Sequence, residues 1–151
     1  MKILIVDDEL SMREFLTVLM STEGHETAAA SSLAEAGKAM SASDFDLVIT
    51  DMKLGADTGM SVLQAARARG NAPEVIVVTA FGTVNTALEA IRRGAYDYIA
   101  KPFDNEEFKL VVQRALEKRA VVQANEALKR TLVAEGRELV LGNSRAISEV
   151  W

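Results

Sequence analysis

The chain has 151 residues, a net charge of −5 and no cysteine. That size bounds it to about one domain, and the missing cysteines exclude a disulfide framework or a thiolate metal centre and fit a reducing cytoplasm. The acidic balance argues against a nucleic-acid-binding face, and no apolar run approaches the ~20 residues that span a bilayer.

The first segment, Ile3–Val6, is a short continuous apolar run, as expected of a strand covered on both faces. Acids at Asp7 and Asp8 cut it short, so it does not read as a signal peptide. Ser11 and Glu14 have capping-box spacing and predict a helix over Ser11–Glu23, with Gly24 as its left-handed stop. His25, the only histidine, falls in the following turn and is expected at the surface. A weaker strand is placed at Glu26–Ala30, mainly by the alternation of elements. Ser32 and Glu35 then open a helix over Leu33–Ser41. Leu47–Thr50 is the next strand, followed by a helix over Met60–Arg69 that Gly70 is expected to end. Val75–Thr79 is a strand, Val84–Arg93 a helix stopped by Gly94, and Tyr98–Ala100 a strand. Met12, Met20, Met40 and Met60 read as helix-face or core residues.

Asp104 and Glu107 open the last helix, which starts at Asn105 and meets no proline or glycine until Gly136, a length of ~45 Å at the helical rise. Val121, Ala124, Leu128 and Thr131 or Leu132 recur at spacings of three and four. They make either a coiled-coil seam or a solvated linker helix. The basic pairs Arg92-Arg93, Lys118-Arg119 and Lys129-Arg130 are interspersed with acids and read as solvated faces. Strict alternation of five strands and five helices predicts an α/β fold, a doubly wound parallel sheet with right-handed crossovers.

In a parallel sheet all C-terminal strand ends share one edge, where ligands of open α/β sheets bind. That edge should gather Asp7 and Asp8, Asp51, Thr79 and Lys101. Three carboxylates so close repel, each pair by about 4 kcal/mol at 4 Å and an effective dielectric near 20, so cations are required. Lys101 supplies one. Oxygen ligands without His or Cys suit Mg²⁺, held by Asp7, Asp8 and Asp51. Asp51 is then a carboxylate nucleophile able to form an acyl phosphate, with Lys101 neutralising equatorial oxygens and Thr79 bonding one of them.

Asp7-Asp8, Asp51, Thr79-Ala80 and Lys101-Pro102-Phe103 together resemble the signature of response-regulator receiver domains, over about residues 1–120. The resemblance implies the flavodoxin-like strand order 2-1-3-4-5 with an extended C-terminal helix. It implies that Asp51 receives a phosphoryl group from a sensor histidine kinase, and that Lys53 offers its backbone carbonyl to the metal. It also implies that Tyr98 is a switch aromatic and that the Lys101–Pro102 peptide is cis. The family commonly has proline four residues after the acceptor. Here Gly55 stands there, and the loop Lys53–Gly59 is expected to be more flexible. Thr79-Ala80-Phe81-Gly82-Thr83 and Arg93-Gly94-Ala95-Tyr96-Asp97-Tyr98 are similar to receivers of sigma-54-dependent transcription activators. Gly142-Asn143-Ser144 and Ile147 through Trp151 resemble the opening of their AAA+ ATPase domain.

The expected organisation is therefore a receiver at 1–120, a helical linker at 121–138 and the start of a truncated ATPase domain at 139–151. The expected protein is a cytoplasmic, homodimeric switch. It would act on sigma-54 RNA polymerase and DNA only through domains beyond this chain, with no membrane partner and no catalysis beyond its own phosphoryl transfer and dephosphorylation. Three rivals fit less well. A haloacid-dehalogenase-like phosphohydrolase needs aspartate two residues after the nucleophile, where Lys53 stands. A flavodoxin-like cofactor binder needs a first loop of Ser, Thr and Gly amides, where Asp7-Asp8-Glu9 would repel phosphate. A receiver-like dimerisation module that is never phosphorylated would have no use for the complete set of reactive groups.

Overall fold

The computed structural model describes residues 1–80 and 84–134. Its elements run β1 (Lys2–Val6), α1 (Leu10–Thr22), β2 (Glu26–Ala30), α2 (Leu33–Ala42), β3 (Leu47–Asp51), β4 (Lys53–Leu54), β5 (Asp57–Thr58), α3 (Gly59–Arg67), β6 (Glu74–Thr79), α4 (Val84–Arg92), β7 (Asp97–Ala100) and α5 (Asn105–Ala134). Five strands form one parallel sheet in the order β2-β1-β3-β6-β7, which is 2-1-3-4-5 when the long strands alone are counted. Met1–Arg119 is one compact unit. The described part of the second unit, residues 120–134, is helical.

Side-chain alternation along the strands sorts the core into two layers. Ile3, Ile5, Leu47, Ile49, Ile76 and Val78 pack with Leu16 and Met20 of α1 and Phe108, Val112 and Leu116 of α5. Leu4, Val6, Val48, Val75 and Val77 pack on the other side with Ala36 and Met40 of α2, Val62 and Leu63 of α3 and Ala90 of α4. Strands buried on both sides have no polar row, which is why they read as continuous apolar runs.

The helix ends show which local signals decide. Ser32 caps α2, its hydroxyl accepting the Glu35 N–H at 3.2 Å, while the Glu35 carboxylate accepts the Ser31 N–H at 2.7 Å. Asp104 caps α5 by accepting the N–H groups of Glu106 and Glu107. Ser11 does not cap α1, because the helix begins a residue earlier at Leu10, with Glu9 in the cap position and no side-chain cap bond. Asp7 Oδ1 takes the Glu9 N–H instead, at 2.9 Å. Gly24 and Gly94 are left-handed, at φ +88° and +108°. Gly70 is not among the left-handed glycines: α3 ends at Arg67, and the right-handed Ala68 closes it. His25 is half-buried in the turn, and burial pushes its imidazole below the usual range, helped by the N-terminal amine.

The solvated reading of Lys118-Arg119 fails for its second member. Arg119 is only 2% exposed. Its guanidinium donates to the Ala72 carbonyl at 2.7 Å and to Asn71 Oδ1 at 3.0 Å, and it lies 3.5 Å from Asp46 Oδ1. Asp46 Oδ2 in turn accepts the Lys2 N–H at 2.8 Å. Arg119→Ala would leave these acceptors facing a void, and should lower urea-unfolding stability by about 2 kcal/mol. On the α5 face that sequence spacing marks as a possible seam, Val121 and Leu128 are both 60% exposed. The side chains of Thr131 and Leu132, the Gly136 stop, Phe81-Gly82-Thr83 and the segment 139–151 lie outside the described residues.

Candidate functional site

The two core layers also sort the polar residues at the sheet edge. Asp7 continues the row of Ile3 and Ile5, Asp51 the row of Leu47 and Ile49, and Lys101 the row of Ile99. All three leave the sheet on the α1/α5 side. Thr79 continues Val75 and Val77, and Tyr98 packs with that opposite layer, on the α4 side. Alternation therefore brings the charged groups together and sets the hydroxyl-bearing pair on the other side.

The contacts follow from that placement. Lys101 Nζ lies 3.1 Å from Asp51 Oδ2 and 3.4 Å from Asp7 Oδ2. Asp7, Asp8 and Asp51 each present a carboxylate oxygen, and these oxygens lie within 4.8 Å of one another. Asp7 is buried, Asp51 half-buried and Asp8 exposed. An open cleft of about 350 Å³ runs beside them, lined by Asp8, Glu9, Asp51, Lys53, Ala80 and Lys101. Burial raises the Asp7 carboxyl above its usual range. The Glu9 N–H and Lys101 pull it down, Asp51 adds repulsion, and the net shift is upward. Burial works against the Lys101 ammonium, yet the hydrogen bond to Asp51 and the charge of Asp7 outweigh it and raise its pKa. Three carboxylates against one ammonium leave the cluster short of positive charge, with only hard oxygen donors, and that donor set fits Mg²⁺.

The loop after β3 is built differently from the sequence expectation. Lys53–Leu54 pairs antiparallel with Asp57–Thr58, a hairpin whose two-residue turn is Gly55-Ala56. Gly55 has φ +61°, the backbone that primed hairpin turns require of their first central residue. Proline, fixed near −65°, does not fit that position, so the glycine is the residue this turn needs. The turn carries the Gly55 N–H to Asp8 Oδ2, at 3.2 Å. Lys53 donates its own N–H to Asp51 Oδ1 at 3.3 Å.

Gly59 starts α3 directly against the candidate acceptor. A Cβ there would stand 2.3 Å from the Asp51 carbonyl oxygen and 3.0 Å from the Met52 Cα. The Gly59 N–H donates to the Met52 carbonyl at 2.7 Å, so the helix has no room to retreat. Gly59→Ala should therefore cost about 1–3 kcal/mol in urea unfolding and displace the Asp51 backbone.

Thr79 is buried, and its carbonyl accepts the Lys101 N–H at 2.8 Å, tying the ends of β6 and β7. Tyr98 is half-buried, with its hydroxyl 3.2 Å from Thr86 Oγ1 on α4. The Lys101–Pro102 peptide is cis. Phe103, just beyond it, stacks on Phe108 of α5 with ring centroids 4.7 Å apart. The structure thus brings Asp7, Asp8, Asp51 and Lys101 into one cluster and leaves Thr79 and Tyr98 on the other side of the sheet edge. Sequence spacing gave no sign of the Gly55 amide, the Gly59 contact or the Tyr98–Thr86 pair.

Comparison with known proteins places this geometry. The response regulator receiver domain family matches residues 3–113. The alginate biosynthesis transcriptional regulatory protein AlgB of Pseudomonas syringae pv. tomato is 37% identical over 127 residues, which are 84% of this chain and 28% of AlgB. Regulatory protein AtoC of Escherichia coli is 39% identical over 116 residues, 77% of this chain and 25% of AtoC. The solution structure of the beryllofluoride-activated NtrC4 receiver domain dimer superposes with a TM-score of 0.73 at 32% identity, covering 78% of this chain and 98% of that one. The chain thus spans between a quarter and a third of the length of the two curated relatives.

Proposed function

The chain belongs to the response regulator receiver family, and from that premise we propose that it is a phosphorylation switch with Asp51 as acceptor. The observation that carries the reading is the cluster of Asp7, Asp8 and Asp51 beside an open cleft, with the Lys101 ammonium on Asp7 and Asp51. A sensor histidine kinase is the proposed donor. An Asp51 carboxylate oxygen forms the new bond to phosphorus as the P–N bond of the donor phosphohistidine breaks. The imidazole leaves with that electron pair and takes a proton from solvent. Lys101, already 3.1 Å from Asp51, neutralises the growing negative charge. Asp7, Asp8, Asp51 and the Lys53 carbonyl are the groups assigned to hold Mg²⁺. Bound there, the ion supplies charge neutralisation for the phosphoryl oxygens.

The phosphate brings roughly two negative charges and three acceptor oxygens. Thr79 is the hydroxyl assigned to one of them, and Lys101 holds another. Thr79 and Tyr98 share the α4 side, so a shift of Thr79 toward the phosphate opens space on that side. For Tyr98 to turn inward its hydroxyl has to leave Thr86. The face of α4, β7 and α5 changes in consequence. Leu88, Ile91 and Leu110 are already exposed there, which supports its use in a homodimer. The much greater length of AlgB and AtoC supports the rest of the proposal. The receiver occupies 1–120, a linker 121–138, and the segment 139–151 opens the ATPase domain of a cytoplasmic sigma-54-dependent activator. Domains beyond this chain, and not the receiver, contact sigma-54 RNA polymerase and DNA. Among the described residues no helix is long and apolar enough to cross a membrane.

Acetyl phosphate with and without Mg²⁺, followed by intact mass and solution molecular weight, tests the reading. A phosphoryl adduct that needs Mg²⁺ and changes the dimer population is expected. No adduct, under conditions that label another receiver, would move the assignment to a phosphate-independent dimerisation module.

A further inference from the structure

Arg13 lies in the first turns of α1 and is half-buried. Its Nη1 donates to the Asp7 carbonyl oxygen at 2.7 Å. That oxygen belongs to the peptide unit joining Asp7 to Asp8, and the unit is planar. Holding its oxygen therefore also fixes the direction of the Asp8 N–H and the plane from which ψ of Asp7 and φ of Asp8 are measured. The other groups of Asp7 are already tied: its N–H to the Ala30 carbonyl at 3.1 Å, Oδ1 to the Glu9 N–H and Oδ2 to Lys101. Asp8 is exposed and is held from outside its own loop by the Gly55 N–H. The peptide between the two acids is thus the joint at which their relative direction is set, and Arg13 is bonded to it.

The guanidinium serves the neighbouring loop as well. Glu35, whose carboxylate binds both the N–H and the hydroxyl of Ser31, is held below the usual carboxyl range first by those bonds and also by the charge of Arg13. Ser31 follows Ala30, the residue that accepts the Asp7 N–H. One arginine therefore acts on the loop after β1 directly and on the loop after β2 through its field.

We propose that Arg13 is a positioning residue for a divalent cation: it pins the Asp7–Asp8 peptide so that the two carboxylates meet one ion. The inference rests on the reading of the acidic cluster as a Mg²⁺ site. It makes a prediction opposite in sign to that of charge alone. Removing a cation near an acidic cluster should tighten Mg²⁺ binding electrostatically, whereas losing the pin should weaken it. Partners that orient metal ligands typically contribute 10- to 100-fold in affinity, and a backbone contact is expected below that range, at about 3- to 10-fold.

Mg²⁺ titrated calorimetrically into the whole chain and into Arg13→Ala, Arg13→Lys and Arg92→Ala decides the matter. Arg92 is an exposed cation on α4, paired within its own helix to Glu89, and controls for net charge. Arg13→Ala should bind about 3- to 10-fold more weakly, Arg13→Lys should recover part of the loss, and Arg92→Ala should match wild type. Melting in Mg²⁺-free buffer separates positioning from general damage, because positioning leaves the metal-free melting temperature nearly unchanged. Should Arg13→Ala fail to fold, Arg13→Lys, which keeps the charge and the aliphatic stem, carries the comparison. Arg13 variants that bind Mg²⁺ as tightly as wild type, or tighter, overturn the inference alone. A wild type that binds no Mg²⁺ overturns the metal-site reading itself.

Discussion

Asp51→Asn is expected to reduce phosphoryl labelling by acetyl phosphate to background while leaving the fold intact. An amide oxygen carries no full negative charge and is a far poorer nucleophile than a carboxylate. The substitution keeps the shape of the side chain, and it removes one of three mutually repelling charges. Asp51 ends β3, in register with Val78, and its carbonyl and flanking amides are fixed by the strand, the hairpin and Gly59. The backbone should therefore hold, while the amide, with one acceptor oxygen in place of two, keeps only one of the bonds from Lys101 Nζ and the Lys53 N–H. Intact-mass analysis after incubation with phosphodonor and Mg²⁺ makes the measurement. A variant that still gained one phosphoryl group would move the acceptor to another side chain, Asp7 and Asp8 being the nearest carboxylates.

Lys101→Met and Asp7→Asn should shift metal-free stability in opposite directions. Lys101 is the ammonium that faces Asp7 and Asp51, and its side chain is 15% exposed. Removing it strands a buried carboxylate beside a second one, which should cost about 3 kcal/mol, and Mg²⁺ should restore much of the loss. Asp7→Asn removes the buried member of the carboxylate cluster. It should raise the melting temperature by several degrees without Mg²⁺ and abolish most of the stabilisation that Mg²⁺ gives wild type.

The pH dependence carries the sign. The folded-state pKa of Asp7 lies above its usual value of 3.8, so the native state holds the proton longer than the unfolded chain does. Ionisation of Asp7 therefore destabilises the fold as pH rises above 3.8, until the carboxyl is fully charged. The melting-temperature gap between Asp7→Asn and wild type should widen over that range and then level off. Lys101 behaves oppositely. Its pKa is raised, so its contribution is complete below its usual value of 10.5 and fades only as pH rises through the folded-state value. Equal metal-free melting of wild type and both variants across this pH range would sink the electrostatic account.

The order of elements was readable because buried parallel strands leave short, unbroken apolar runs, and because serine, aspartate and glycine mark several helix ends. Glu26–Ala30, the weakest strand signal, forms with the expected bounds, since pairing along the whole of β1 supplies what its alanines do not. The hairpin after β3 was not readable. Two-residue strands have no period, and a glycine by itself does not say which turn it serves, here the left-handed position at Gly55. Arg119 misled because a helical residue reveals its burial only through what packs over it, and Lys118 beside it is about half exposed. At the sheet edge, the gathering of Asp7, Asp8, Asp51 and Lys101 was legible from their places at strand ends. Arg13 was not, since its partner is a backbone oxygen and main-chain acceptors leave no mark in a sequence.

The separation of the site into two rows by strand alternation limits how this domain tolerates changes in length. Deleting or adding one residue within Leu47–Asp51 or Asp97–Ala100 reverses the sidedness of everything after it: an insertion puts Thr50 where Asp51 belongs or Ala100 where Lys101 belongs, and a deletion puts Met52 or Pro102 there. Deletions and insertions of two restore the side but shift the reactive group by one repeat along the strand. Of all indels in the chain, single-residue ones in these short strands should be the most uniformly lost from a functional library. Equal indels at the exposed Glu23-Gly24 turn should survive.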